Sequence, residues 1–102
     1  MIRRAARIDA NQPEIVRVLR EAGATVQPLH TVGKGCPDLV VGYNGQNYLL
    51  EIKDPTAVNK AGKFRPSHRD RDHADWHVNW RGQVQIVWSA VEALQAIGVL
   101  RR

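Results

Sequence analysis

Two apolar, β-prone runs, Leu39-Val40-Val41 and Tyr48-Leu49-Leu50, are joined by Tyr43-Asn44-Gly45-Gln46, and no other stretch constrains the fold so tightly. Asn-Gly between such runs is the strongest short-range hairpin signal a sequence carries. Gly35-Cys36-Pro37-Asp38 leads into the first run, and Glu51-Ile52-Lys53 closes the second. Residues i and i+2 of a strand share a face, so Glu51 and Lys53 point the same way. Antiparallel pairing across the turn then places Asp38 beside Glu51. Two carboxylates and one ammonium gather at one end of a hairpin.

That combination suits a divalent-metal site with a catalytic lysine. Magnesium takes oxygen ligands, typically one or two carboxylates with waters and substrate phosphates. Asp38 and Glu51 supply the pair, and the carbonyl of Ile52 is a further oxygen between Glu51 and Lys53. A cation there lowers the pKa of a coordinated water and offsets charge developing on a phosphoryl group. Lys53 can hold or deprotonate that water, or neutralise the pentavalent phosphorus. These parts suit hydrolysis of a phosphodiester by an in-line water. The bland alternatives are a turn aspartate binding backbone amides and a solvated strand face. Charges set at the ends of strands this apolar are costly unless they have a role, which favours the metal site.

A chain of 102 residues makes one domain with a single core. No apolar run approaches the ~20 residues that span a bilayer, so no membrane partner is expected. Met1-Ile2-Arg3-Arg4-Ala5-Ala6-Arg7 is basic but lacks the apolar segment of a secretion signal. The one cysteine, Cys36, forms no internal disulfide and suits a reducing, cytoplasmic interior; zinc held by cysteine pairs is excluded. A net charge of +5 and a pI near 10.0 favour a polyanionic partner, with nucleic acid foremost.

Taken in order, residues 1–10 read as a basic arm, and 11–102 as the domain. Ile15, Val18, Leu19 and Ala22 build the apolar stripe of a first helix that Gly23 ends. Asn11 is its expected cap, with Pro13 in the first turn. Glu14 has two readings: a capping-box partner reaching back to Asn11, which the spacing favours, or a third acid near the hairpin site. Residues 24–31 read as a strand with Pro28 at an edge or bulge. In Gly33-Lys34-Gly35 the glycines allow close approach to a ligand, and Lys34 is placed to touch a phosphate.

The polar, breaker-rich stretch 54–66 carries Lys60, Lys63 and Arg65, three candidate DNA contacts. A second helix is expected from about 67–69 to Trp80, with His73, Trp76, His77 and Trp80 on one face. His73 and His77 have the spacing of shared metal ligands but lack a third, so a packed, hydrogen-bonded face is the better reading. His30 and His68 carry no readable signal, and Cys36 has no base partner for nucleophilic work. Val84, Ile86 and Trp88 read as the core-facing side of a strand. Ser89 caps a closing helix with Glu92 at the capping-box position and Val91, Leu94 and Ile97 as its buried stripe. The order is helix, three strands, helix, strand, helix, an α/β chain with a central mixed sheet flanked by helices.

Gly35-Cys36-Pro37-Asp38 followed by Glu51-Ile52-Lys53 resembles the PD-(D/E)xK nuclease signature, in the form Pro-Asp, spacer, Glu-x-Lys. The chain is similar in particular to the VRR-NUC branch and its small stand-alone phage and prophage members. The likeness takes in Asn11-Gln12-Pro13-Glu14, residues 33–54, Trp76-His77-Val78-Asn79-Trp80-Arg81-Gly82 and the closing strand and helix. It implies a restriction-endonuclease-like core, Mg2+ or Mn2+ as cofactor, DNA as substrate, and a bacterial or phage-infected cell. By position it implies Asp38 and Glu51 as metal ligands, Lys53 as the catalytic lysine and Glu14 as the acid of the first helix, which puts a metal-ligand role for Glu14 ahead of the cap. Members often carry a glutamine on the helix after the lysine; residues 69–73 have none, and His73 is the best match. Small relatives resemble homodimers acting on branched DNA such as four-way (Holliday) junctions, where a two-fold axis presents two sites to two strands. A flap or general duplex nuclease, and a catalytically silent DNA-binding module, are the rival expectations.

Overall fold

The computed structural model describes residues 10–55 and 68–101, without the side chains of residues 68–73. Its elements are α1 (Gln12–Glu21), β1 (Thr25–Pro28), β2 (Leu39–Tyr43), β3 (Gln46–Ile52), α2 (His68–Asn79), β4 (Gln85–Val87) and α3 (Ala90–Ala96). The class is α/β, and the order is the one the sequence predicts.

The four strands form one mixed sheet in the order β1-β2-β3-β4. β1 and β2 are antiparallel, as are β2 and β3, whereas β3 and β4 run parallel. A parallel neighbour cannot be reached by a tight turn, and α2 lies in the connection between them. Asn44 and Gly45 have φ of 51° and 77°, the two positive values of a primed hairpin turn. Pro28 sits in edge strand β1 opposite Leu39, where its missing N–H costs no ladder bond on the open side. The strand expected over 24–31 is regular only over Thr25–Pro28.

One sheet face carries Leu39, Val41, Leu50, Ile52 and Val87, and these pack with Ile15 and Leu19 of α1, Ala93 of α3 and Ile97 at its C-cap. Every residue in this set is buried and apolar. Cross-strand pairs Leu39–Leu50 and Ile52–Val87 hold their side chains on that same face. Alternation therefore sends Val40, Leu49, Glu51 and Ile86 to the opposite face.

Several local expectations are corrected. Ile86 and Trp88 are 45% and 47% exposed while Val87 is buried, the reverse of the expected alternation in β4. In the run Val-Gln-Ile-Val-Trp apolar residues stand at both parities, and pairing of Val87 with Ile52 decides which one faces the helices. In α3 the deepest residue of the first turns is Ala93 rather than Val91, which is exposed. Ser89 does accept the amide of Glu92, at 3.1 Å, but the Glu92 carboxylate accepts from Trp88 N, at 2.6 Å, instead of from its own cap residue. At α1 the capping box is absent: Asn11 makes no side-chain cap, and Glu14 is exposed beside Arg17 at 3.9 Å. On α2, Trp76 stacks on Trp80 with centroids 4.5 Å apart, Trp80 Nε1 donates to Gln83 O, and no described α2 residue joins the core. Among the described residues of that face, Trp76 and Trp80 stack on one another, and His77 lies edge-on to Trp76 with centroids 5.6 Å apart.

Candidate active site

The β2–β3 ladder ends at Leu39↔Leu50, so Asp38 and Glu51 are the next pair in register. The next hydrogen-bonding position of β3 is Ile52, opposite Pro37. There the Ile52 amide donates to Asp38 Oδ2 at 2.7 Å. A side-chain carboxylate thus takes the place of a ladder carbonyl. On its other side, the Asp38 carbonyl accepts from Leu29 N at 2.8 Å, continuing the β1 register by one residue. Asp38 is held by β1 through its backbone and by β3 through its side chain, and is only 4% exposed.

Glu51 lies between them in the centre of the sheet, flanked by Ile86 of β4, with 0% exposure. Lys53 Nζ is 3.9 Å from Glu51 Oε2, and its side chain is 19% exposed, so the ammonium stands at the mouth of the buried acid. The Lys53 backbone is fixed twice: its amide donates to Val87 O at 3.0 Å, and its carbonyl accepts from Asn11 Nδ2 at 3.0 Å. Asn11 also donates to Trp88 O, at 3.3 Å. The residue expected to cap α1 instead fastens that helix to the ends of β3 and β4. Asparagine is a common cap, and that prior hid this role from sequence reasoning. The two ends of the Asp38–Lys53 group are therefore tied to four elements.

Ile52 places its amide toward Asp38, and in an antiparallel ladder the carbonyl of a residue faces the same neighbour as its amide. Its oxygen is therefore turned to the Asp38 side. Burial pushes the Cys36 thiol above its ordinary 9.0, and the negative charges of Glu51 and then Asp38 push it further. Both carboxylates are thus within electrostatic reach of one sulfur atom, which stays a neutral thiol at neutral pH and is a poor nucleophile or metal ligand in that form. Pro37 beside it is fully buried. What the site offers a cation is oxygen, and two carboxylates with a nearby carbonyl fit a hard divalent ion such as Mg2+ or Mn2+.

Asp38, Glu51, Ile52 and Lys53 are brought together; Glu14 is not. It is exposed on α1, and among the described residues no group of three or more His, Cys, Asp and Glu side chains is gathered for a metal. Lys34 is exposed at φ 59°, between Gly33 at 73° and Gly35 at 79°, and projects from a tight turn four residues before Asp38. A lysine in the left-handed region is uncommon, and the strain is borne by the strap leading into the acid. The His73 side chain, Lys60, Lys63 and Arg65 lie outside the described residues. Comparison of the chain with protein-family models, with characterised proteins and with solved structures finds no match.

Proposed function

We propose that this chain is a metal-dependent DNA endonuclease with a restriction-endonuclease-like core, hydrolysing phosphodiester bonds at Asp38, Glu51 and Lys53. The observation that carries the reading is the 2.7 Å bond from the Ile52 amide to Asp38, which locks one acid against the strand bearing the other acid and the lysine. A hairpin end needs no such arrangement to be stable. Burying two carboxylates side by side opposes folding, and it is the arrangement expected where a function selects for it. The net charge of +5 suits a DNA partner.

In this reading Asp38, Glu51 and the Ile52 carbonyl would hold Mg2+ or Mn2+. The cation, when bound, supplies Lewis-acid polarisation of a phosphoryl oxygen and a more acidic water. Lys53, at the mouth of the site, orients the attacking water and offsets charge on the phosphate. Asn11 and Val87 fix the lysine backbone, so the ammonium reaches from a rigid base. Lys34 contacts the substrate backbone from the preceding turn. Selectivity for branched DNA and action as a homodimer complete the proposal.

The test is cleavage of a labelled four-way junction against matched linear duplex, with Mg2+, Mn2+ or EDTA, for the native chain and Asp38→Ala. Metal-dependent cutting of the junction that vanishes in Asp38→Ala supports the whole reading. Equal cutting of both substrates keeps the nuclease and removes the branch preference. Binding without cutting under any metal replaces it with a silent DNA-binding module. A monomeric mass by light scattering removes the homodimer.

A further inference from the structure

The sheet face that holds Glu51 and Lys53 continues onto β4, the edge strand. Glu51 pairs with Ile86, and the Lys53 amide donates to Val87 O at 3.0 Å, so Trp88 is the residue abreast of Lys53. Asn11 Nδ2 donates to the carbonyls of both Lys53 and Trp88, which keeps the two backbones side by side beyond the last ladder pair. Val87 is turned into the core, and alternation about it puts Ile86 and Trp88 on the face of Glu51 and Lys53. The candidate active site therefore has two unlike borders. On the β2 side stand Asp38 and the turn bearing Lys34; on the β4 side stand a branched aliphatic side chain and an indole.

Both apolar side chains are open to solvent, Ile86 at 45% and Trp88 at 47% exposure. Exposed apolar residues scattered singly are ordinary on a protein surface. These two are neighbours on one face, in register with the acid and the ammonium of the site. The backbone of Trp88 is also held on both sides of its side chain. Its amide donates to Glu92 Oε1 at 2.6 Å, and its carbonyl accepts from Asn11 at 3.3 Å. A large flat ring on a fixed backbone offers contact area at little cost in lost freedom.

A ligand that matches both borders is anionic toward Lys53 and flat and apolar toward β4. A nucleotide within a strand has those two ends, phosphate and base, separated by a single sugar. Its base can lie on the indole only when it is not stacked inside a duplex, and the net charge of +5 suits the polyanion it belongs to. We infer that Trp88, with Ile86 beside it, is a stacking platform for an unpaired base next to the phosphate at Lys53. The site then takes DNA that has an unpaired nucleotide at the cut. Placing that nucleotide at the cut rests on the nuclease reading; the affinity of Trp88 for an unpaired base does not.

The test titrates the intact isotope-labelled chain, in EDTA, with a short oligothymidylate, an abasic strand of the same length and a fully paired duplex closed by hairpin ends. The expected result is a saturable shift of the Trp88 indole N–H signal with oligothymidylate and none with the other two. Trp88→Leu, which stays apolar but cannot stack, binds oligothymidylate on the order of 10–100-fold more weakly, and Trp88→Phe restores most of the loss. The abasic strand binds the native chain and Trp88→Leu alike. Each variant is melted first, and the indole signal of the native chain decides the matter if Trp88→Leu fails to fold. An indole that does not move with oligothymidylate, or moves equally with the abasic strand, overturns the platform, as does native affinity in Trp88→Leu. An equal shift with the closed duplex overturns the selectivity for unpaired bases. A fall from dimer to monomer in Trp88→Leu with DNA binding unchanged makes this face a contact between two copies of the chain and overturns the proposal as well. Cleavage with Mg2+ or Mn2+ separates the two readings. Stacking on Trp88 in a native chain that cuts no DNA removes the nuclease and leaves the platform. Cutting of a four-way junction with the same kcat/KM in Trp88→Leu and the native chain removes the platform alone.

Discussion

The two faces of β3 differ in what they bury. Leu50 and Ile52 look toward α1 and α3 and are buried among other apolar side chains. Glu51, between them in the chain, is equally buried on the opposite face, with Lys53 as its near cation. One strand therefore supplies a stabilising surface and a costly one from alternating residues. Burial alone does not distinguish core from site; the chemistry of what is buried does. The helix-facing side has the composition of a domain interior, and its loss should show in stability. The other side should show in activity.

The largest effect expected is on that second side. Glu51→Gln keeps the shape but removes one ligand charge, and should lower cleavage by about 10²–10⁴-fold, the scale of losing a polar catalytic group. The urea midpoint should hold or rise, because two desolvated like charges oppose folding. A variant that cuts normally would place the chemistry elsewhere, and one that unfolds would make Glu51 a structural residue. Next comes the mirror experiment. Leu50→Ala should cost about 2–5 kcal/mol of unfolding free energy by leaving a cavity in a closed core. Cleavage per folded molecule should change little. Parallel falls in stability for both variants would erase the contrast between the faces.

The hairpin, its register and the closeness of Asp38, Glu51 and Lys53 were legible because the information is local. An Asn-Gly turn fixes the register, and the register fixes which residues meet. The facing of β4 was not legible. Val84, Ile86, Val87 and Trp88 put apolar residues at both parities, and the choice is made by a parallel partner about 35 residues away in sequence, as Ile52↔Val87 shows. Asn11 misled for a related reason. Its local environment is that of a cap, and only the assembled fold brings the Lys53 and Trp88 carbonyls to its amide.

Asn11 offers an intermediate test, because it joins the two regions. It belongs to the helix on the core side and holds the backbone of a residue on the site side. Asn11→Ala should cost about 1 kcal/mol in stability, the scale of a partly buried hydrogen bond. It should also slow cleavage by several-fold at saturating substrate, with KM nearly unchanged, since Lys53 loses its anchor and not its charge. Asn11→Asp lacks the amide donor and should not restore either property. A stability loss with kcat untouched would confine Asn11 to holding α1.

The smallest effect uses Cys36 as a reporter of the two carboxylates. Its thiol is raised above 9.0 by burial first and by Glu51 and Asp38 next, so the folded chain favours the protonated form. Below the unfolded value both states keep the proton and the contribution to stability is constant. As pH climbs through 9.0, the unfolded chain releases its proton before the folded chain does, and stability falls. In EDTA, the native chain should therefore lose ground against Cys36→Ser above pH 9.0 and match its slope at neutral pH. Alkylation at neutral pH should be slower than for a free cysteine, and faster in Glu51→Gln than in the native chain, because one of the two charges opposing the thiolate is gone. Equal alkylation rates in the two proteins would mean that Glu51 does not act on the sulfur, and the buried acid would then lie farther from the Cys36–Asp38 strap than the site requires.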